Sequence, residues 1–263
     1  MRAFLWSLGG LGFIFFMTCA GSAMVYVLRK NRWTGMRTMF LGFASGVMIA
    51  ASVWSLLIPA MEQSVELGLS EWVPAAAGFV MGALFLFALD KLTPHIHPST
   101  GLREGLKSGA RRTMLLISAV TLHNIPEGMA VGLAFALAAQ HPGNGAMLSS
   151  AVALAIGIGI QNFPEGAAIS IPLLNEGKSA RRAFLVGGAS GVVEPIFGLL
   201  TVLLASHIIG LMPWLLAFAA GAMIYVVVEE LIPEAHMDEN THAGTFGALA
   251  GFLIMMVLDV ALG

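Results

Sequence analysis

The chain has 263 residues, of which 57% are apolar and 11% are charged, and its formal net charge is −2. A water-soluble domain would lack the polar surface needed to cover so apolar a core, so we expect the lipid bilayer to be its solvent. The single cysteine, Cys19, excludes a disulfide framework and a thiolate metal cluster. The small net charge gives no reason to expect a nucleic-acid partner.

Eight apolar stretches are long enough to cross a bilayer, which takes about 20 helical residues. Numbered 1 to 8 in chain order, we place these spans near residues 4–28, 37–60, 72–92, 113–139, 146–174, 182–206, 211–233 and 243–262. The connections between them are short. The sequence therefore predicts one all-α transmembrane domain over residues 1–263.

The basic residues predict how the spans are oriented. Twelve of the thirteen Lys and Arg residues lie in or beside the connections between spans 1 and 2, 3 and 4, and 5 and 6. The other connections carry Glu62, Glu66 and Glu71 or no charge. Because cytoplasmic loops are rich in Lys and Arg, we expect a multi-pass protein of the inner (plasma) membrane with both termini on the outer side.

An internal similarity links span 2 with span 7. Residues 43–49 (FASGVMI) match residues 218–224 (FAAGAMI), and after one gap both spans continue into Leu-Ile-Pro, which ends at Pro59 and Pro233. The two spans should cross the membrane in opposite directions. The pattern predicts an inverted repeat of spans 1–3 and 6–8 around spans 4 and 5, an arrangement typical of secondary transporters.

A second similarity joins spans 4 and 5, where HNIPEG (123–128) matches QNFPEG (161–166). Residues four apart share a helix face, so His123 pairs with Glu127 and Gln161 pairs with Glu165. At about 1.5 Å per residue, both pairs lie near the middle of the bilayer. Each helix thus offers two metal-binding side chains.

Three further side chains extend this predicted site. Asn124 and Asn162 lie about 100° round their helices from the neighbouring ligands, where they could face a second ion. Glu194 lies at a similar depth in span 6 and could complete the site. A carboxylate inside the bilayer is costly, so an intramembrane Glu indicates a functional site.

Each motif also contains a proline followed, two residues later, by a glycine. Pro126 and Pro164 remove a backbone donor, so we expect both helices to be broken there. Gly128 and Gly166 should allow another helix to approach closely.

The ligand types predict the metal and limit the function. Imidazole nitrogen with carboxylate and amide oxygens suits Zn²⁺, Fe²⁺, Mn²⁺ or Co²⁺ better than Cu⁺. We expect metal transport, with a membrane di-metal enzyme or a metal-gated channel or sensor as alternatives. An enzyme is disfavoured because di-iron bundles favour Glu-x-x-His pairs, unlike the two motifs here, and because the sequence lacks the His-Glu-x-x-His signature of zinc enzymes. No prosthetic group is expected.

These motifs resemble those of the ZIP (Zrt/Irt-like) metal transporters, over essentially the whole chain. The resemblance implies uptake of Zn²⁺, with Fe²⁺, Mn²⁺, Co²⁺ or Cd²⁺ as further substrates, as in the bacterial branch with broad selectivity. It also implies a homodimer in which spans 1, 4, 5 and 6 move against spans 2, 3, 7 and 8. Gln161 departs from the His of many eukaryotic members, and an amide is the weaker ligand.

The resemblance further implies two adjacent ions bridged by Glu127 and Glu165. The implied ligands of the first ion are His123, Glu127, Gln161 and Glu165, and those of the second are Asn124, Glu127, Asn162, Glu165 and Glu194. Met48 matches a position that is a thioether ligand in some relatives, although packing is the simpler explanation. Two groups are possible peripheral sites: His95 and His97 between spans 3 and 4, and Glu229, Glu230, Glu234, His236, Asp238, Glu239 and His242 around the end of span 7.

Overall fold

The computed structural model describes residues 2–27, 30–92, 95–96, 103–104, 112–204, 207, 209–235 and 241–262. Within these ranges the chain is helical apart from its connections and a pair of two-residue strands, His95–Ile96 and Arg103–Glu104, which run antiparallel. Seven segments of the described chain are long and apolar enough to cross a membrane. The helix Arg112–Gln140, with 29 residues, is the eighth. The predicted all-α architecture is confirmed.

The spans end within a few residues of their predicted bounds, apart from longer ends on span 2. In chain order the helical segments are Arg2–Ser22 and a 3₁₀ turn at Ala23–Tyr26 (span 1); Lys30–Ala51, Ser52–Leu57 and Ile58–Glu66 (span 2); Trp72–Leu92 (span 3); Arg112–Gln140 (span 4); Gly145–Asn175 (span 5); Ala180–Ser190 and Val193–Leu204 (span 6); a 3₁₀ turn at Ile209–Leu211, then Met212–Val226, Val227–Leu231 and Ile232–Ala235 (span 7); and Ala243–Leu262 (span 8).

Spans 2 and 8 pack so closely that their backbones touch. Glycines make this possible, because a Cβ atom at each of them would overlap a backbone carbonyl oxygen of the other span. The pairs of glycine and overlapped residue are Gly46 and Ala248, Gly247 and Met39, and Gly251 and Phe43. Small residues commonly hold membrane helices together in this way.

Spans 3 and 7 repeat these contacts. The pairs of glycine and overlapped residue are here Gly221 and Phe79, Gly78 and Trp214, and Gly82 and Phe218. The two sets correspond contact by contact. Adding 175 to a residue number in span 2 gives the equivalent residue in span 7, as from Gly46 to Gly221. Adding 169 to a residue number in span 3 gives the equivalent residue in span 8, as from Gly82 to Gly251. Since spans 2 and 7 are an odd number of crossings apart, the repeat is inverted.

The gap in the sequence match between spans 2 and 7 has a structural origin. Both helices change to π-helical geometry at the same place, over Ser52–Leu57 in span 2 and Val227–Leu231 in span 7. The first π segment has six residues and the second has five. The extra residue is absorbed there, so the register shifts by one before Pro59 and Pro233.

The glycine contacts can be tested by stability measurements. We expect Gly46→Ala and Gly221→Ala each to lower the free energy of unfolding by about 1–3 kcal/mol, because the new methyl group would overlap a backbone carbonyl. Gly12→Ala is the control, because a Cβ atom there meets nothing within 4 Å. Thermal unfolding in detergent would measure all three, and a loss in the control as large as in the other two would contradict this account.

Candidate functional site

Span 6 is interrupted in front of Glu194. Its first helix ends at Ser190 and its second begins at Val193. Pro195 fits the first turn of the second helix, where a missing N–H costs little. The Glu194 amide donates to the Gly191 carbonyl, 3.1 Å away, and so leaves the Ser190 carbonyl without its usual helical partner.

The prediction that proline breaks spans 4 and 5 was wrong. Both helices continue through the motif, past Pro126 in one and Pro164 in the other. Only one donor is lost at each proline, and the neighbouring turns keep their own hydrogen bonds. Span 6 is interrupted instead because it combines Gly191 with a nearby proline.

The two motif asparagines bind backbone carbonyls of neighbouring spans. Asn124 Nδ2 donates to the Ser190 carbonyl oxygen in span 6, at 3.3 Å. Asn162 Nδ2 donates to the Ile14 carbonyl oxygen in span 1, at 3.4 Å. Both amides are fully buried. These side chains therefore tie spans 4 and 6 together, and spans 5 and 1, by equivalent bonds.

The motif glycines work alongside the asparagines. A Cβ atom at Gly128 would overlap the backbone of Glu194, and one at Gly166 would overlap the carbonyl oxygen of Thr18. The expected close approach of another helix at both glycines is confirmed. Each motif thus brings a second span against the centre of the bundle.

Glu194 is held at both of its carboxyl oxygens. Oε2 accepts a hydrogen bond from Asn162 Nδ2 at 2.9 Å, and Oε1 lies 3.2 Å from Thr18 Oγ1. Gln161 Nε2 in turn donates to Asn162 Oδ1 at 3.0 Å. The structure thus brings Gln161, Asn162 and Glu194 into one hydrogen-bonded chain, with Thr18 at its end.

Three buried oxygen atoms of the predicted site have no hydrogen-bond partner among the described residues. They are Asn124 Oδ1, Glu127 Oε2 and Gln161 Oε1. A buried acceptor without a partner costs about 1–3 kcal/mol, so such groups need a reason to persist. All three are typical ligand atoms for a divalent cation.

His123 lies next to a residue that the sequence analysis placed only at the periphery. Its Nδ1 is 3.2 Å from Oε2 of Glu230, which belongs to the π segment of span 7. Asp90 of span 3 is close enough to interact electrostatically with His123, and it accepts a hydrogen bond from Tyr225 at 3.3 Å. No sequence signal placed Glu230 here, because the π segment changes which face its residues occupy.

Carboxylates crowd this part of the bundle. Glu165 interacts electrostatically with Glu127, Glu194 and Glu230. Among the described residues, however, no three His, Cys, Asp or Glu side chains converge closely enough to hold one metal ion. In the present arrangement a shared ion would therefore also need amide oxygens, such as those of Asn124 and Gln161.

A cavity of about 260 Å³ opens between spans 2, 4, 5 and 8, at the end of the bundle where spans 4 and 5 are connected. Ser55 Oγ donates to Asp259 Oδ1 at 2.6 Å in its wall. Glu66 also lines the cavity, and its Oε2 lies 3.3 Å from His141 Nε2. We call it the end cavity.

The peripheral candidates fall in different places. Met48 is fully buried in the hydrophobic core, as is the corresponding Met223 of span 7. Glu229 is exposed and Glu234 is paired with Arg37. His95 lies in a strand, and His242 is exposed. The other four, His97, His236, Asp238 and Glu239, lie outside the described residues.

The fold and the site define a class, namely a multi-pass membrane protein with a carboxylate- and amide-rich centre inside its helix bundle. The family model described as ZIP Zinc transporter matches residues 100–259, more than half of the sequence. The chain belongs to the ZIP zinc transporter family. The members of this family are transporters, so the chain is not an enzyme and the di-metal enzyme alternative is not supported.

Known zinc transporters are similar in sequence to this chain over most of its length. Zinc transporter ZIP11 of Homo sapiens is 37% identical over 97% of this chain and 96% of its own length. Zinc transporter GufA of Myxococcus xanthus is 40% identical over 85% of this chain and 86% of its own. Zinc transporter ZIPB of Bordetella bronchiseptica is 38% identical over 97% and 80%.

The hydrogen bonding of the two glutamates predicts different effects of removing them. Glu127→Met removes a buried oxygen without a partner and a carboxyl group that lies near Glu165, at the cost of its interaction with Gln161, so we expect the metal-free protein to be about as stable as wild type. Glu194→Met deprives Asn162 Nδ2 of its 2.9 Å acceptor and should leave the protein about 1–3 kcal/mol less stable than Glu127→Met. Thermal unfolding with a chelator present would compare them, and equal losses would contradict the assigned bonding.

Proposed function

We propose that this chain carries divalent transition metals across the membrane through a site at the centre of its bundle. Zinc is the foremost substrate, because the family and the relatives above are described as zinc transporters. The observation that carries the proposal is the group of buried, unpartnered oxygens of Asn124, Glu127 and Gln161. A divalent cation would satisfy all three and offset the repulsion between the neighbouring carboxylates.

The proposed ligands occupy two adjacent positions. The first ion takes His123, Glu127, Gln161 and Glu165, and the second takes Asn124, Glu127, Asn162, Glu165 and Glu194. The second position is supported by the bond between Asn162 and Glu194, which already brings two of its ligands together. The first requires His123 to move from Glu230, its nearest partner in this arrangement, toward Glu127.

The ligand chemistry supports a broad range of metals. Nitrogen and oxygen donors without a thiolate accept Fe²⁺, Mn²⁺, Co²⁺ and Cd²⁺ as well as Zn²⁺. The proposed site contains three amide side chains, those of Asn124, Gln161 and Asn162. A histidine at position 161 would bind zinc more strongly than the glutamine does. We therefore infer weaker discrimination between metals than a histidine-rich site would give.

Transport inward across the plasma membrane completes the proposal. The basic connections are typical of the cytoplasmic side, which supports an orientation with the cytoplasm at their end of the bundle and with the termini and the end cavity at the other. A homodimer is the proposed assembly. The end cavity would then be the entrance, and the region of Glu230 and Asp90 would be the exit.

Metal uptake into proteoliposomes tests the function. We expect saturable uptake of zinc that is lost in the Glu127→Ala/Glu165→Ala double variant, because both shared carboxylates are removed. The His95→Ala variant, altered in the strand between spans 3 and 4, should retain most of the uptake. The same assay with iron, manganese, cobalt and cadmium ranks the substrates.

Three outcomes of this assay are informative. Equal uptake by wild type, the double variant and His95→Ala would disprove the site. Binding of zinc without uptake would favour a sensor, and a metal-dependent ion current would favour a channel.

Cysteine labelling tests the orientation. Cys19 is the sole cysteine, so Cys19→Ser gives a background without thiols. In that background we expect Glu71→Cys to react with a membrane-impermeant maleimide applied to intact cells, and Lys178→Cys to react only after the cells are opened. The reverse pattern would place the termini in the cytoplasm.

A further inference from the structure

Thr18 in span 1 is a buried polar residue to which the sequence motifs assign no role. Its hydroxyl oxygen lies 3.2 Å from the Ile14 carbonyl oxygen, one turn earlier in the same helix, and 3.2 Å from Glu194 Oε1 in span 6. The hydroxyl has one proton, so it donates to only one of these two oxygens at a time. Span 1 alone could satisfy that proton through Ile14, as it does for buried threonines in many helices. The approach of Glu194 gives the same proton a second acceptor, on another span.

The hydrogen bonds of the two motif asparagines show that Thr18 occupies a position equivalent to that of Glu194. Asn162 donates to the carbonyl of Ile14, and Thr18 is four residues after Ile14. Asn124 donates to the carbonyl of Ser190, and Glu194 is four residues after Ser190.

The motif glycines give the same correspondence independently. Gly166 makes room for the backbone of Thr18 in span 1, and Gly128 makes room for the backbone of Glu194 in span 6. The inverted repeat thus brings two equivalent positions to the centre of the bundle. One carries a carboxylate, and the other carries a hydroxyl that contacts that carboxylate.

The space around Thr18 is shaped for this contact. A Cβ atom at Gly191, in the interruption of span 6, would lie 2.8 to 3.0 Å from the Thr18 side chain. A larger residue at position 191 would therefore force the Thr18 side chain or the backbone of span 6 to shift. The interruption of span 6 therefore both sets the position of Glu194 and admits the hydroxyl beside it.

We propose that Thr18 is a positioning residue for the second metal ion, and this inference rests on the proposed function. When the Thr18 hydroxyl turns its proton from Ile14 to Oε1 of Glu194, and Asn162 donates to Oε2, the plane of the carboxyl group is fixed between spans 1 and 5. A carboxylate oxygen that accepts one hydrogen bond still has a lone pair for a metal ion. Partners that orient metal ligands typically change metal affinity by about 10- to 100-fold when removed.

Calorimetric titration of the purified protein with zinc chloride tests this role. Thr18→Val keeps the shape and removes the hydroxyl, and we expect it to raise the dissociation constant of the second zinc ion about tenfold without altering the first. Thr18→Ser, which restores the hydroxyl, should bind as wild type does. Glu194→Gln provides the reference for loss of the second ion.

Thr201→Val is the matched packing control. Thr201 is also a buried threonine bonded to its own helix, through the Gly198 carbonyl at 2.7 Å, and it also packs against a glycine, Gly132. No carboxylate in the described part of the chain is hydrogen-bonded to it. We therefore expect Thr201→Val to leave both zinc-binding steps unchanged.

The outcomes separate this inference from the proposed function. Unchanged zinc binding in Thr18→Val, failure of Thr18→Ser to restore the second step, or equal weakening in Thr18→Val and Thr201→Val would each overturn the role of Thr18. A wild type that binds one ion, or a Glu194→Gln variant that still binds two, would instead contradict the proposed ligands, and the inference would fail with them.

Discussion

The donation from each motif asparagine to a backbone carbonyl of another span is the interaction on which the centre of this bundle depends. No water is present in hydrocarbon to satisfy an exposed carbonyl, so the interruption of span 6 is tolerated only because a side chain reaches it. Asn124 supplies that donor from one end of its amide group. The other end is left as an unpartnered buried oxygen. One side chain thus both stabilises the fold and offers a ligand atom.

Much of this arrangement could be predicted from particular residues. The apolar runs define the spans because a bilayer requires about 20 residues of helix. The repeated motif defines its ligand face because residues four apart in a helix lie together. Gly128 and Gly166 indicate close helix approach because they lack a side chain. Each of these arguments depends only on neighbours in the sequence, which is why the spans and the close approaches at the two glycines match the structure, whereas the ligand role of the motif face is a proposal.

The rest depends on contacts between distant parts of the chain. The π segment of span 7 turns Glu230 toward His123, and a regular helical periodicity does not predict that direction. The interruption of span 6 falls before Glu194 rather than at the motif prolines, because Gly191 and Pro195 act together there. Thr18 could be found only through its partner, since a threonine in an apolar helix carries no signal of its own.

The inverted repeat also relates the two ends of the route through the bundle. By the offsets that match the glycine contacts, Ser55 is equivalent to Glu230, and Asp90 is equivalent to Asp259. The hydrogen-bonded pair of Ser55 and Asp259 in the end cavity therefore corresponds to Glu230 and Asp90 beside His123, with a carboxylate in place of a hydroxyl. Under the proposed function, an ion beside His123 would meet two carboxylates at the positions where the end cavity offers one. Such a difference between the two ends can change how strongly each end holds an ion, while the electrochemical gradient sets the direction of net flow.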